Sequence, residues 1–156
     1  MTYHDAPDTP RGHADAPDCA VLLTLQAAAL PGLEVPVLAC LRYHRDDPYA
    51  VYLDNHVDLA EPVTWVFGRE ILAAGLYGWA GTGDVSVFPE IVGDPDTVVI
   101  ALSDDTTTAL LKAPGLPIAA FLADTQQVVP YGAESAHLDI DQLVLQLLGD
   151  EGLPTV

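Results

Sequence analysis

Pro62-Val63-Thr64-Trp65-Val66-Phe67-Gly68-Arg69-Glu70-Ile71-Leu72-Ala73-Ala74-Gly75-Leu76-Tyr77-Gly78-Trp79-Ala80-Gly81-Thr82-Gly83-Asp84-Val85-Ser86-Val87-Phe88-Pro89 is the stretch that decides the fold. Val63, Trp65 and Phe67 alternate with Thr64 and Gly68, which is the period of a β-strand. Ile71, Leu72 and Leu76 then share one helical face, with Gly75 as a stop signal. Val85 and Val87 alternate with Asp84 and Ser86, so a second strand follows. The segment reads strand, short helix, Gly-rich turn, strand. It predicts an α+β architecture and contains no reactive group set.

Upstream, Val21, Leu23 and Leu25 mark a first strand, and residues 27–32 read as a turn. Val35, Val37, Ala39, Leu41 and Tyr43 line one face of the next strand. Leu38 and Cys40 make its other face apolar, which predicts a central strand covered on both sides. His44-Arg45-Asp46-Asp47-Pro48 is a turn by its Asp and Pro content. Tyr49, Val51, Leu53 and Val57 point inward on a third strand, with Asn55 as its polar inward position and His56 on the wet side. Four strands in meander order therefore lead to the Trp65 strand and end with it.

Downstream, Val98, Ile100 and Leu102 give a strand, and Ser103-Asp104-Asp105-Thr106 a hairpin turn. Residues 109–113 are short enough for strand or helix, and the hairpin turn favours strand. Pro117 suits a first helical position, with Ile118, Phe121 and Leu122 facing inward. Asp139 with Gln142 forms a capping box for a last helix, whose stripe is Ile140, Leu143, Val144, Leu147 and Leu148. That stripe either docks on the sheet or makes a subunit contact. The expected organisation is a disordered acidic tail over 1–18, one domain over 19–149 and a short tail over 150–156.

The chain carries 23 acidic against five basic residues, a net charge of −18 over 156 residues. Such a charge repels phosphate and argues against nucleic acid or an anionic membrane surface as partner. No apolar run reaches the ~18 residues of a membrane helix, and the start lacks a secretory pattern. A cytoplasmic protein without membrane insertion is expected. Cys19 and Cys40 lack any Cys-x-x-Cys spacing and read as small buried hydrophobes in a reducing compartment.

Other candidate sites fail on chemistry. His4 and His13 fit no metal-ligand spacing. His44 with Asp46 or Asp47 has no accompanying nucleophile. Gly81-Thr82-Gly83 precedes a strand, whereas a phosphate cradle needs a helix N-terminus. No catalytic, cofactor or metal residue is nominated.

Trp65-Val66-Phe67-Gly68-Arg69-Glu70, then Gly81-Thr82-Gly83-Asp84-Val85, resembles the signature of the SsgA-like proteins, sporulation and cell-division regulators of filamentous actinobacteria. Further segments match in order: Leu41-Arg42-Tyr43, Asp47-Pro48-Tyr49-Ala50-Val51, Val99-Ile100-Ala101-Leu102-Ser103, and Val129-Pro130-Tyr131-Gly132-Ala133-Glu134. The match covers about residues 19–148. The signature positions Asp47, Pro48, Tyr49, Trp65, Phe67, Arg69, Gly81, Gly83 and Asp84 are expected to be mainly structural. Arg69 and Glu70 read as helix-start residues, with Arg69 paired to a nearby acid.

The resemblance implies a Whirly-like antiparallel sheet, of about seven strands by the spacing above, with a short helix between halves and C-terminal helices. It also implies a homotrimer. The implied function is that of a non-enzymatic adaptor at division septa, contacting the tubulin-like ring protein, a paralogue or the septal wall-synthesis machinery. The Whirly shape raises an alternative, a single-stranded nucleic-acid binder. That function needs a basic groove with stacking aromatics, and Arg11, Arg42, Arg45, Arg69 and Lys112 are scattered along the chain. A small-molecule enzyme is the third class, and no residue constellation supports it.

Overall fold

The protein is described by a computed structural model, covering residues 2–4, 16–138, 144, 145, 147 and 148. The described chain orders its elements as β1 (Thr2–His4), β2 (Cys19–Leu30), β3 (Leu33–Tyr43), β4 (Ala50–Asn55), β5 (Val63–Gly68) and α1 (Arg69–Gly75). β6 (Ala80–Thr82), β7 (Val85–Pro89), β8 (Thr97–Ser103), β9 (Thr108–Pro114) and α2 (Gly115–Val128) follow, with a 3-10 turn at Glu134–His137. All nine strands form one antiparallel sheet in the order β1-β5-β4-β3-β2-β9-β8-β7-β6. Two meanders are thus joined at β2 and β9 by two residue pairs, Gln26 with Lys112 and Ala27 with Leu111.

The inward period-2 positions build the core. Leu23, Leu25, Val37, Ala39, Leu41, Tyr43, Val51, Leu53, Trp65 and Phe67 are buried from the first meander. Val85, Val87, Val98, Ile100, Leu102 and Leu111 are buried from the second. Both helices pack on this inner face, α1 against β7 and β6, α2 against β2 and β9. Leu72 of α1 and Ile118, Phe121 and Leu122 of α2 complete the core. Gly75 is required where α1 crosses β7, because a Cβ there would collide with the Val87 side chain.

Several expectations change. β2 runs on to Leu30, so the expected turn at 27–32 shrinks to Pro31 and Gly32, with φ +77° at Gly32. The β2–β3 hairpin projects past the sheet, leaving Leu30, Leu33 and Val35 exposed. β3 is not covered on both sides: Leu38 is exposed, as are Leu22 on β2 and Leu110 on β9. Tyr49 precedes β4 and is exposed instead of facing inward. His56 follows β4 with φ +61°, so it is a turn residue and not a strand histidine. Asn55 is the buried polar position the alternation predicted.

The Gly-rich turn resolves into a short strand, β6, and a two-residue turn at Gly83 and Asp84. Together with β1, β6 raises the strand number from the expected seven to nine. Thr2–His4 pairs with β5, so this part of the expected disordered tail is a strand, while residues 5–15 lie outside the described residues. α2 starts at Gly115, two residues before Pro117, which sits in its first turn. Of the last helix, Val144, Leu145, Leu147 and Leu148 are helical and exposed. Its expected cap Asp139 and Gln142, with Ile140 and Leu143, lie outside the described residues.

Candidate functional site

The signature residues converge on a buried cation. Arg69 opens α1 directly after β5 and is only 1% exposed. Its Nη2 donates to Glu134 Oε2 at 2.7 Å. Its Nη1 donates to the Val129 carbonyl at 2.7 Å and, more weakly, to the Thr125 carbonyl at 3.3 Å. Those carbonyls belong to the C-terminus of α2, which has no basic residue of its own in its last turn. Arg69 therefore places a positive charge where the α2 dipole is negative, beside the bond that the Thr125 carbonyl accepts from Val129 N–H at 2.8 Å. The guanidinium lies 5.0 Å from the Tyr43 ring centroid and 4.5 Å from that of Tyr131. Its Nε is buried without a hydrogen-bond partner.

The Asp47-Pro48-Tyr49 turn is tied to the same centre. The Tyr43 hydroxyl donates to the Pro48 carbonyl at 2.9 Å, and the Arg69 backbone N–H donates to the Tyr49 carbonyl at 2.8 Å. Asp47 accepts from the Tyr52 hydroxyl. Trp65 and Phe67, each 7% exposed, anchor β5 in the core immediately before Arg69. Gly81, Gly83 and Asp84 lie apart from this cluster, in the β6–β7 hairpin. Gly83 adopts φ +60°, and the Asp84 carbonyl accepts from Ser103 N–H at 2.8 Å.

Burial and the Arg69 charge shift the titrating groups of the cluster in opposite directions. Burial pushes the Glu134 carboxyl up, but the Arg69 hydrogen bond and the Gly132 N–H outweigh it and leave it below the usual range. Burial drives the Tyr43 phenol up to about 12, against the lowering effect of Arg69. Tyr131 is also raised by burial. The centre is an ion pair held between two tyrosine rings.

A second network lies on the outer sheet face. Arg42 grips Asp54 with Nε at 2.6 Å and Nη2 at 3.1 Å, and its guanidinium sits 4.7 Å from the Tyr52 ring centroid. His44, which the sequence assigns to a turn, is 4% exposed and meets the Tyr52 ring edge-on at 5.5 Å. Its Nε2 lies 3.2 Å from Arg42 Nη1, which has only protons to offer, so that nitrogen is the acceptor. Thr64 donates to Asp54. Among the described residues, no three His, Cys, Asp or Glu side chains are grouped to hold a metal ion, and no helix is long and apolar enough to cross a membrane.

All described cations are paired: Arg42 with Asp54, Arg45 with Asp18, Arg69 with Glu134, and Lys112 with both Glu34 and Glu90. No basic groove for a phosphate backbone is left among them. The sequence placed Arg69 correctly at a helix start beside an acid, but not its tyrosines or its hold on α2. The available signal was the joint presence of Arg69-Glu70 and Tyr131-Gly132-Ala133-Glu134 in the signature set.

The comparisons agree with one another. A family model described as "Streptomyces sporulation and cell division protein, SsgA" matches residues 37–134. The sporulation-specific cell division protein SsgB of Streptomyces coelicolor is 42% identical over 132 residues, 85% of this chain and 95% of that protein. SsgB of Salinispora tropica is 42% identical over 127 residues, 80% of this chain and 89% of that protein. An SsgA-like sporulation-specific cell division protein from Thermobifida fusca superposes with a TM-score of 0.72 at 36% identity, covering 86% of this chain and 100% of that one. The SsgB structure presented with mutations that correlate to longitudinal cell division during sporulation of Streptomyces coelicolor gives 0.71 at 41% identity, covering 76% and 94%.

Proposed function

This chain belongs to the SsgA family of sporulation and cell division proteins, and on that premise we propose that it is a non-enzymatic adaptor of sporulation-specific cell division, recruited from the cytoplasm to septa and acting by protein contact. The observation that carries this reading is the 42% identity to an SsgB over 95% of that protein's length. The arrangement of side chains is consistent with it. The signature residues gather around a buried Arg69–Glu134 ion pair that ties the start of α1 to the turn beyond α2. The partner is the tubulin-like division-ring protein, a paralogue, or the septal wall-synthesis machinery.

The functional form is a homotrimer with a Whirly-like subunit. Support comes from apolar surface that the described chain leaves open: Leu22 and Leu38 on the outer face, Leu30 and Leu33 on the hairpin, and Leu145 and Leu147 near the C-terminus. Light scattering at micromolar concentration tests the oligomer, and a monomer contradicts it. Co-sedimentation with polymers of the purified tubulin-like ring protein tests the contact. Enrichment in the pellet at physiological salt is expected; absence from both these polymers and a paralogue pull-down contradicts an adaptor role.

A further inference from the structure

The junction between α1 and β6 carries two large aromatic side chains that the domain does not cover. Tyr77 is 87% exposed and Trp79 is 69% exposed. Single exposed apolar residues are ordinary. These two are two positions apart and lead directly into a strand at the end of the sheet. Among the described residues β6 pairs only with β7, so its other edge carries no strand from them. A free edge presents backbone N–H and C=O groups without ladder partners.

The Trp79 ring is seated on this edge strand. A Cβ at Gly81 would stand 3.1 Å from Trp79 Cη2, 2.7 Å from Ser86 Oγ and 3.0 Å from the Val85 carbonyl. Glycine at 81 therefore lets the indole lie against β6 and β6 lie close on β7. The outcome is a flat apolar plate held on the last strand of the sheet. Trp and Tyr are the side chains whose truncation most often costs binding energy at protein interfaces.

Charge selects the occupant. The β6–β7 turn holds Asp84, whose carbonyl accepts from Ser103 N–H at 2.8 Å. That bond brings the β8–β9 turn, with Asp104 and Asp105, to the same end of the sheet. Asp84, Asp104 and Asp105 make that end of the sheet acidic. A basic segment is drawn to it.

We propose that β6, Tyr77 and Trp79 form a docking site for an extended segment of a partner protein. The segment adds to β6 as a further strand, lays an apolar side chain against the Trp79 ring and carries Lys or Arg at the end beside Asp84, Asp104 and Asp105. In strand addition, main-chain hydrogen bonds supply affinity and alternate side chains supply specificity. A three-residue edge offers a short ladder, so the aromatic pair carries much of the binding. This inference deepens the protein-contact reading and rests on it.

The test is selection of a displayed library of short random peptides against the immobilised full-length protein, followed by titration of synthetic winners. Winners are expected to carry Lys or Arg at one end. Their affinity should fall roughly tenfold or more for Trp79→Ala, the scale of a hot-spot aromatic. N-methylation of alternate peptide amides should abolish binding, because it blocks strand addition but leaves the side chains in place. Trp79→Ala should melt with the wild type, and Tyr77→Ala provides a second variant if it does not. An unproductive selection, winners indifferent to both substitutions, or winners indifferent to N-methylation would overturn the proposal. So would loss of the oligomer on Trp79→Ala, which would assign the edge to a second copy. Failure of the adaptor reading is separable, since it shows as a wild-type fusion absent from septa whatever the peptides do.

Discussion

Arg69 reaches Glu134 across 65 positions of sequence, joining the first residue of α1 to the turn beyond α2 with a 2.7 Å charge-assisted hydrogen bond. Taking a guanidinium out of water is costly unless its donors are met. Here two backbone carbonyls, a carboxylate and two aromatic faces meet most of them. Arg69→Met should therefore destabilise by about 3–5 kcal/mol, because it leaves Glu134 partly buried and unpaired. The Arg69→Met/Glu134→Gln double variant should recover part of that loss. Denaturant unfolding of the two single variants and the double variant measures the coupling, and additive losses would show that the pair does not act as a latch.

Trp65 and Phe67 occupy adjacent inward positions of β5 and are nearly inaccessible. Trp65→Ala should cost about 3–5 kcal/mol. Because Trp79 is exposed and Trp65 is buried, the fluorescence of the Trp79→Ala variant should report a shielded indole. A quencher that reaches that remaining tryptophan freely would contradict the β5 register.

Gly75 and Val87 are in contact where α1 crosses β7. Gly75→Ala improves helix propensity by about 1 kcal/mol in isolation. The new methyl group meets Val87 atoms, one of them the backbone oxygen at 2.9 Å. Overpacking of this kind costs about 1–3 kcal/mol, so a net loss of melting temperature is expected. A rise in melting temperature would mean that the helix sits farther from the sheet.

The pH profile has two limbs. Glu134 has a depressed carboxyl, so its contribution is present above the unfolded-state carboxylate range and is lost as pH falls through its lower folded value. Glu134→Gln should flatten that acid limb. Tyr43 is raised to about 12, so the native state keeps its proton after the unfolded chain has lost it near 10. Stability should therefore fall between about pH 10 and 12, and Tyr43→Phe should reduce that alkaline loss. Chemical denaturation across pH reads both limbs, and unchanged profiles in the variants would refute the assignments.

Much of the fold was legible because period-2 runs such as Val63-Trp65-Phe67 and Val85-Val87 commit a strand to one face. β6 was not legible, since Ala80-Gly81-Thr82 has no apolar alternation and is a strand only because β7 pairs with it. The exposure of Leu38 was also hidden, because an apolar outer position reads the same whether the chain or nothing in it provides cover. The site was half visible. Arg69 beside Glu70 announced a helix start, but its partners Tyr43, Val129 and Glu134 are remote in sequence, and spacing carries no information about them.

The central claim, an adaptor of sporulation-specific division, is tested most directly by time-lapse imaging of a functional fluorescent fusion in the sporulating host. The account predicts foci that arrive at sporulation septa with the division ring, and irregular or missing septa when the gene is deleted. A fusion that stays diffuse throughout sporulation, together with normal septation in the deletion strain, would contradict it.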